Sequence, residues 1–92
     1  MSTSASQPVK TRKLGELKKG QTGTIVSVHG NPSIPADLVM IQRLLEMGLL
    51  EGATVELVHE APFGGDPVAV RVRGSLVALR RQEANHVEVT HE

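Results

Sequence analysis

Apolar residues in the second half of the chain recur at every other position. Val55, Leu57 and His59 fall on one side of a run, with Thr54, Glu56 and Val58 on the other. After a turn-rich stretch, Val68, Val70 and Val72 alternate with Ala69, Arg71 and Arg73. A period of two marks strands with one buried face. Thr24, Val26 and Val28 alternate with Ile25, Ser27 and His29, predicting a strand over Thr22 to His29. Leu76 to Arg80 and the pair Val87 and Val89 predict two more. One segment has a different period. Leu38, Ile41, Leu44, Leu45 and Gly48 are spaced three and four apart, which predicts a helix over about Pro35 to Met47 with a single apolar stripe. Pro35 suits the first turn, Asp37 sits near the positive end of the helix dipole, and Gly48 offers the left-handed C-terminal cap.

The joints carry turn residues. Gly20, Gly30-Asn31-Pro32-Ser33 and Ala61-Pro62-Phe63-Gly64-Gly65-Asp66-Pro67 interrupt any ladder, Gly74-Ser75 predicts a tight hairpin, and Gln82 to Asn85 a further turn. Five short strands with one helix, in a chain with a single aromatic residue, predict a mainly β fold: a small SH3-like five-stranded barrel with one inserted α-helix, filled by Val, Leu and Ile. An open α+β sheet is the alternative, because periodicity does not show whether the edges close. In the barrel reading, Val68, Val70 and Val72 point inward, and Ile41, Leu44 or Leu45 plug one open end.

Ninety-two residues make one domain. Beyond Met1, the segment up to Arg12 has only Ala5 and Val9 as apolar anchors. Residues 1–12 are therefore expected to be a flexible tail, and 13–92 the folded domain. Cysteine is absent, so aliphatic burial must hold the core without disulfides or thiolate metal sites. Ten Lys+Arg balance ten Asp+Glu, leaving no field of one sign to draw in nucleic acid or anionic lipid. The sequence has no apolar run of signal-peptide or membrane-spanning length, so direct membrane insertion is not expected.

Candidate chemistry is sparse. The histidines are His29, His59, His86 and His91. His86 and Glu88 lie two apart on a predicted strand and share a face, but two ligands do not make a site, and a solvated strand face is the plainer reading. No tight metal site and no cofactor are expected. Arg71 with Arg73, and Arg80-Arg81, suggest a basic patch, yet the stacking aromatics of single-strand binders are missing. Gly64-Gly65-Asp66 lacks the Lys-Ser or Lys-Thr of a phosphate loop, and Ser27, His29 and Asp37 lack a nucleophile-elbow context. The chain is expected not to be an enzyme. A barrel this small cannot bury every aliphatic of its strands and helix, and the surplus is expected at the helix C-terminus and neighbouring turns. Leu44, Met47, Leu49, Leu50 and Phe63 are therefore the expected partner-binding residues, although scattered exposed apolar residues are also ordinary.

Several phrases stand out in order and spacing: Leu17 through Gly23, Arg43-Leu44-Leu45-Glu46-Met47-Gly48-Leu49 with Gly52 and Val55, Ala61-Pro62 with Gly65-Asp66-Pro67-Val68, Val72-Arg73-Gly74, and Val77-Ala78-Leu79-Arg80 with Glu83-Ala84. In that arrangement they resemble the FeoA (ferrous iron transport protein A) family. Together they cover about Lys13 to Val89. The resemblance implies an SH3-like barrel with a helical insertion, a cytoplasmic location at the membrane only through a partner, and no catalysis. It also implies a role in ferrous iron uptake beside the permease FeoB, which joins a GTP-binding cytoplasmic domain to a transmembrane pore. Weak self-association is a further option. The departure lies at Val28 to Gln42, where family members often carry arginines on the helix and this chain has Asn31-Pro32-Ser33-Ile34-Pro35 and Leu38-Val39-Met40, with Arg43 following. A rival with the same architecture is the SH3-like domain of iron-dependent repressors standing free, binding a transition metal or a peptide. A third reading is an oligomer-forming barrel unrelated to iron.

Overall fold

The computed structural model describes residues 10–90. Its elements are β1 (Thr11–Lys13), a single 3-10 turn (Leu14–Glu16), β2 (Thr22–Val28), α1 (Pro35–Glu46), β3 (Thr54–Glu60), β4 (Val68–Val72), β5 (Ser75–Leu79), α2 (Arg81–Ala84) and β6 (Val87–Thr90). The strands form one antiparallel sheet in the order β1-β6-β2-β3-β4-β5. Leu14, Ile25, Val55, Leu57, Val68, Val70, Val72, Leu79, Ala84, Val87 and Val89 belong to one buried cluster. A flat sheet would not bring residues of β4 and β5 together with those of β6, so the sheet curls around a common interior, as expected for a small mainly β barrel.

Strand β2 makes the corner. Thr22, Gly23 and Thr24 pair with Glu56, Val55 and Thr54 of β3, whereas Ile25, Ser27 and Val28 pair with Val89, Glu88 and Val87 of β6. A register shift between Ile25 and Ser27 bends the strand where it changes partner. The bulge also breaks the expected alternation: Ile25 is buried, Val26 turns out, and Val28 returns to pack against the core. A second shift lies between Leu57 and His59, so Val55 and Leu57 face inward while His59 is exposed.

The expected five strands become six. Thr11, Arg12 and Lys13 pair with Thr90, Val89 and Glu88, so the last residues of the expected tail are in a ladder. Residues 1–9, the rest of that tail, lie outside the described residues, as do His91 and Glu92. β1 carries no apolar side chain and left no periodic signal; its pairing with β6 defines it. The hairpin turns at Arg73-Gly74, with φ values of 51° and 83°, one residue before the expected position. Positive φ at both central residues is the turn whose twist matches that of the flanking strands.

The expected turn after β5 is the short helix α2. Glu83 accepts a hydrogen bond from the Arg80 N–H at 3.0 Å, closing its first turn. Arg81 then ties distant segments together. Its side chain donates to the Gly65 carbonyl at 2.8 Å and to the Gly15 carbonyl, and pairs with Glu60 at 2.8 Å. Its backbone N–H donates to Asp66 at 3.0 Å. Gly15 is where the 3-10 turn meets α2, and a Cβ there would lie 2.3 Å from the Asn85 side chain.

Val70 has no exposed surface, whereas Leu76 on the adjacent strand is 62% exposed. Val70→Ala should lower stability by about 2 kcal/mol, and Val70→Asp should abolish cooperative folding, because an unpaired charge in so small a core outweighs the whole stability. Leu76→Ser should shift stability by no more than about 0.5 kcal/mol. Thermal melts followed by circular dichroism will show whether this order holds.

Candidate docking surface

Helix α1 is attached to the barrel along one narrow line. Leu44 is its only buried residue, with Met40 partly buried against the core and Ile41 half-buried. At about 100° per residue, Asp37, Met40 and Leu44 form the row that faces the barrel. Ile34, Leu38, Ile41 and Leu45 form a second row beside it, at spacings of four, three and four. Ile41 rests over Gly30, where a Cβ would approach its side chain to 3.0 Å. The rest of that row is uncovered: Ile34 is 44% exposed, Leu38 49% and Leu45 40%, and Val39 stands off the row at 66%. The single apolar stripe read as a barrel plug thus splits in two, and of Ile41, Leu44 and Leu45 only Leu44 is buried.

The helix ends hold this face at a fixed angle. At the N-terminus, the Asn31 N–H donates to Asp37 at 2.9 Å and the Ser33 N–H to the Asn31 side chain at 2.9 Å, so the preceding loop folds back on the first turn. At the C-terminus, Gly48 has φ 97°, its N–H reaches the Leu45 carbonyl at 3.0 Å, and the Leu49 N–H reaches the Leu44 carbonyl at 3.1 Å. This is the Schellman arrangement, in which the residue after the left-handed glycine packs back on the last turn.

That geometry corrects the expected surface. Leu44 and Leu49 are the two residues the Schellman turn brings inward, at 1% and 0% exposure. They are core, not contact residues. Met47 is partly buried against the same core, and Leu50, next after Leu49, faces out at 39%. Phe63 is fully exposed at the tip of the β3–β4 turn. It does not adjoin Leu50, because the seven residues of β3 lie between them in the chain and span roughly 20 Å. The residues that the sequence reading missed as a surface are Ile34, Leu38 and Leu45. Their signal was present, since the chain has more apolar helix positions than one buried row can hold.

Polar candidates disperse. His86 Nδ1 lies 2.9 Å from the His29 carbonyl oxygen, with the two rings 6.5 Å apart, and Glu88 accepts from the Thr11 hydroxyl at 3.2 Å. Among the described residues no three His, Cys, Asp or Glu side chains group to hold a metal ion. Arg71 lies 3.5 Å from Glu56, Arg73 occupies the hairpin turn, and Arg81 is engaged in the tie described above. On the other side of α1, Arg43 pairs with Glu83 at 3.1 Å, between two shallow clefts of about 260 and 290 Å³ that share Arg80 and Glu83. Among the described residues no helix is long and apolar enough to cross a membrane.

A curled antiparallel sheet that leaves one side of its inserted helix uncovered defines a small SH3-like domain. Residues 12–91 match the FeoA domain family, and the chain belongs to it. It is 39% identical over 77 residues to the Fe(2+) transport protein A/Fe(2+) transporter FeoB fusion protein of Porphyromonas gingivalis (strain ATCC BAA-308 / W83), covering 84% of this chain and 8% of that much longer protein. FeoA of Stenotrophomonas maltophilia, solved with zinc and described as a unique procaryotic SH3 domain protein, is 34% identical with a TM-score of 0.72, covering 84% of this chain and 87% of that one. A manganese-dependent transcriptional repressor superposes with a TM-score of 0.76 over 94% of this chain and 44% of its own, at 20% identity, a likeness of fold alone.

The Schellman turn sets a sharp contrast between neighbours. Leu49→Glu places a charge in the core and should leave the protein unfolded, whereas Leu50→Glu should fold with stability within about 0.5 kcal/mol of wild type. Comparable melting curves for the two variants would show that the turn is drawn wrongly.

Proposed function

We propose that the protein docks on the cytoplasmic part of a FeoB-type ferrous iron permease and supports or regulates it, acting by contact and without catalysis. The observation that carries this reading is the uncovered row of Leu38 and Leu45 on α1, begun at its N-cap by Ile34. Three large aliphatic side chains on one helix and its N-cap make an apolar patch of the kind that marks partner surfaces. The choice of partner is supported by the Porphyromonas gingivalis relative, in which a sequence like this one is joined to FeoB in one chain. The proposed site of action is accordingly the cytoplasmic face of the membrane, reached through the permease. Phe63, at the far end of β3, lies outside this proposed surface.

Central apolar anchors of an interface typically contribute about 2 kcal/mol or more, so Leu38→Glu and Leu45→Glu should each weaken binding to the permease's cytoplasmic fragment roughly thirtyfold, with a parallel loss of ferrous iron uptake in cells. Phe63→Ala and Arg71→Ala, both away from this face, should leave binding within about threefold of wild type. Variants are compared only once circular dichroism shows them folded. Folded Leu38→Glu and Leu45→Glu proteins that bind and restore uptake normally would exclude the helix face; wild-type protein that binds no permease fragment would remove the docking reading itself.

A further inference from the structure

Strand β5 has no strand partner on its outer side, although Arg43 of α1 lines a cleft beside Ala78 and Leu79. It pairs with β4 on one side through five consecutive positions, Val72↔Ser75 to Val68↔Leu79, without a bulge, and it ends the strand order. Edge strands in monomeric proteins are usually blunted by a charge, a proline or a bulge. Ser75-Leu76-Val77-Ala78-Leu79 has none of these, and Leu76 is its most exposed apolar side chain.

The hairpin fixes which backbone groups face out. A two-residue turn at Arg73-Gly74 makes Val72 and Ser75 a hydrogen-bonded pair, and bonded pairs alternate along an antiparallel ladder. Val77 therefore bonds to Val70 of β4, while the N–H and C=O of Leu76 and Ala78 point away from the sheet.

We infer that β5 pairs antiparallel with β5 of a second copy of this chain about a two-fold axis at Val77. In that register, Leu76 of each copy opposes Ala78 of the other. Those are the two residues whose backbone groups point outward, so the pairing makes four hydrogen bonds and leaves none of these groups unmet. The side chains also complement each other, because both are exposed and a large one meets a small one across each pair. Arg80 falls opposite Gly74, so no like charges meet there, and the zero net charge adds no repulsion between copies. A shift of two residues in either direction would lose this match. Five residues a side is a short seam, well under the roughly 1,200 Å² of a stable interface, so the dimer forms at a fraction of millimolar concentration and falls apart at micromolar. This inference goes beyond docking and does not depend on the permease.

Sedimentation equilibrium of the full chain from about 10 µM to 1 mM, with amide exchange by NMR at both ends, tests it. Average mass should rise from 9.8 kDa toward twice that value, and the Leu76 and Ala78 amides should gain protection with concentration while Val77 does not change. Leu76→Lys places a charge at the seam, and Ala78→Pro removes an outward N–H without touching the β4 ladder; both should remain monomeric throughout. Wild-type protein that stays monomeric at 1 mM overturns the inference, as does association that survives in the folded variants or is lost instead in Leu38→Glu. If copies do not pair but Leu76→Lys loses permease binding, the edge belongs to the permease, and the inference is again wrong. The wild-type exchange data decide the matter even if a variant fails to fold.

Discussion

A curled sheet whose strands are three to seven residues long encloses room for little more than one layer of aliphatic side chains, and this limit shapes the rest of the molecule. The strands fill that layer almost unaided: Ile25, Val55, Leu57, Val68, Val70, Val72, Leu79, Val87 and Val89 are all at 1% exposure or less. Leu14 and Leu17 close it together with Ala84 of α2, which the 3-10 turn meets. Little space remains for α1, which inserts Leu44 and, through the turn that follows, Leu49. Its other large aliphatic residues have no interior to enter. The exposed helix face is thus a consequence of barrel size, and the same arithmetic that stabilises the core produces the surface.

Legibility in the sequence followed the same division. Period-two patterning located β3 and β4 because both faces of those strands differ sharply in polarity, and the helix announced itself by its spacing and its Pro35 and Gly48 ends. β1 was silent because Thr11, Arg12 and Lys13 contribute pairing without burial. The bulges in β2 and β3 were also silent: each shifts the register of its ladder by one residue, so Val26 and His59 leave the faces that strict alternation assigns them. α2 reads as a turn because four residues show no helical period; what specifies it is Glu83 capping Arg80 and Arg81 reaching Glu60, a contact 21 positions away in the chain.

The candidate surface was half legible for a related reason. Apolar surplus near the helix end is visible in composition and spacing, but its division between inside and outside depends on one backbone reversal. The Schellman turn sends Leu49 back over Leu44 and leaves Leu50 outside, so two adjacent leucines with the same side chain have opposite fates. Helical spacing likewise groups Leu44 with Leu45, and only the direction of approach to the barrel separates them. Phe63 shows the converse. It looks like a natural neighbour of the helix end in a list of turn residues, yet a strand's length separates them.

The two surfaces proposed here can be used together, because they lie on different sides of the molecule. Arg43 of α1 and Ala78 and Leu79 of β5 line one cleft, so the polar flank of the helix is the one turned toward the sheet edge. Leu38 is five residues from Arg43, about 140° around the helix axis, and faces away from that cleft. Pairing of two copies along β5 would therefore occupy the cleft side and leave both helix faces outward. A two-fold arrangement of that kind presents the same apolar row twice, at a separation fixed by the paired strands. A partner carrying two matching sites would then bind the pair more tightly than either copy alone, since the second contact forms at the high effective concentration set by the first. Weak pairing between copies and firm docking by the dimer are compatible for that reason, and neither needs a larger core than this chain can build.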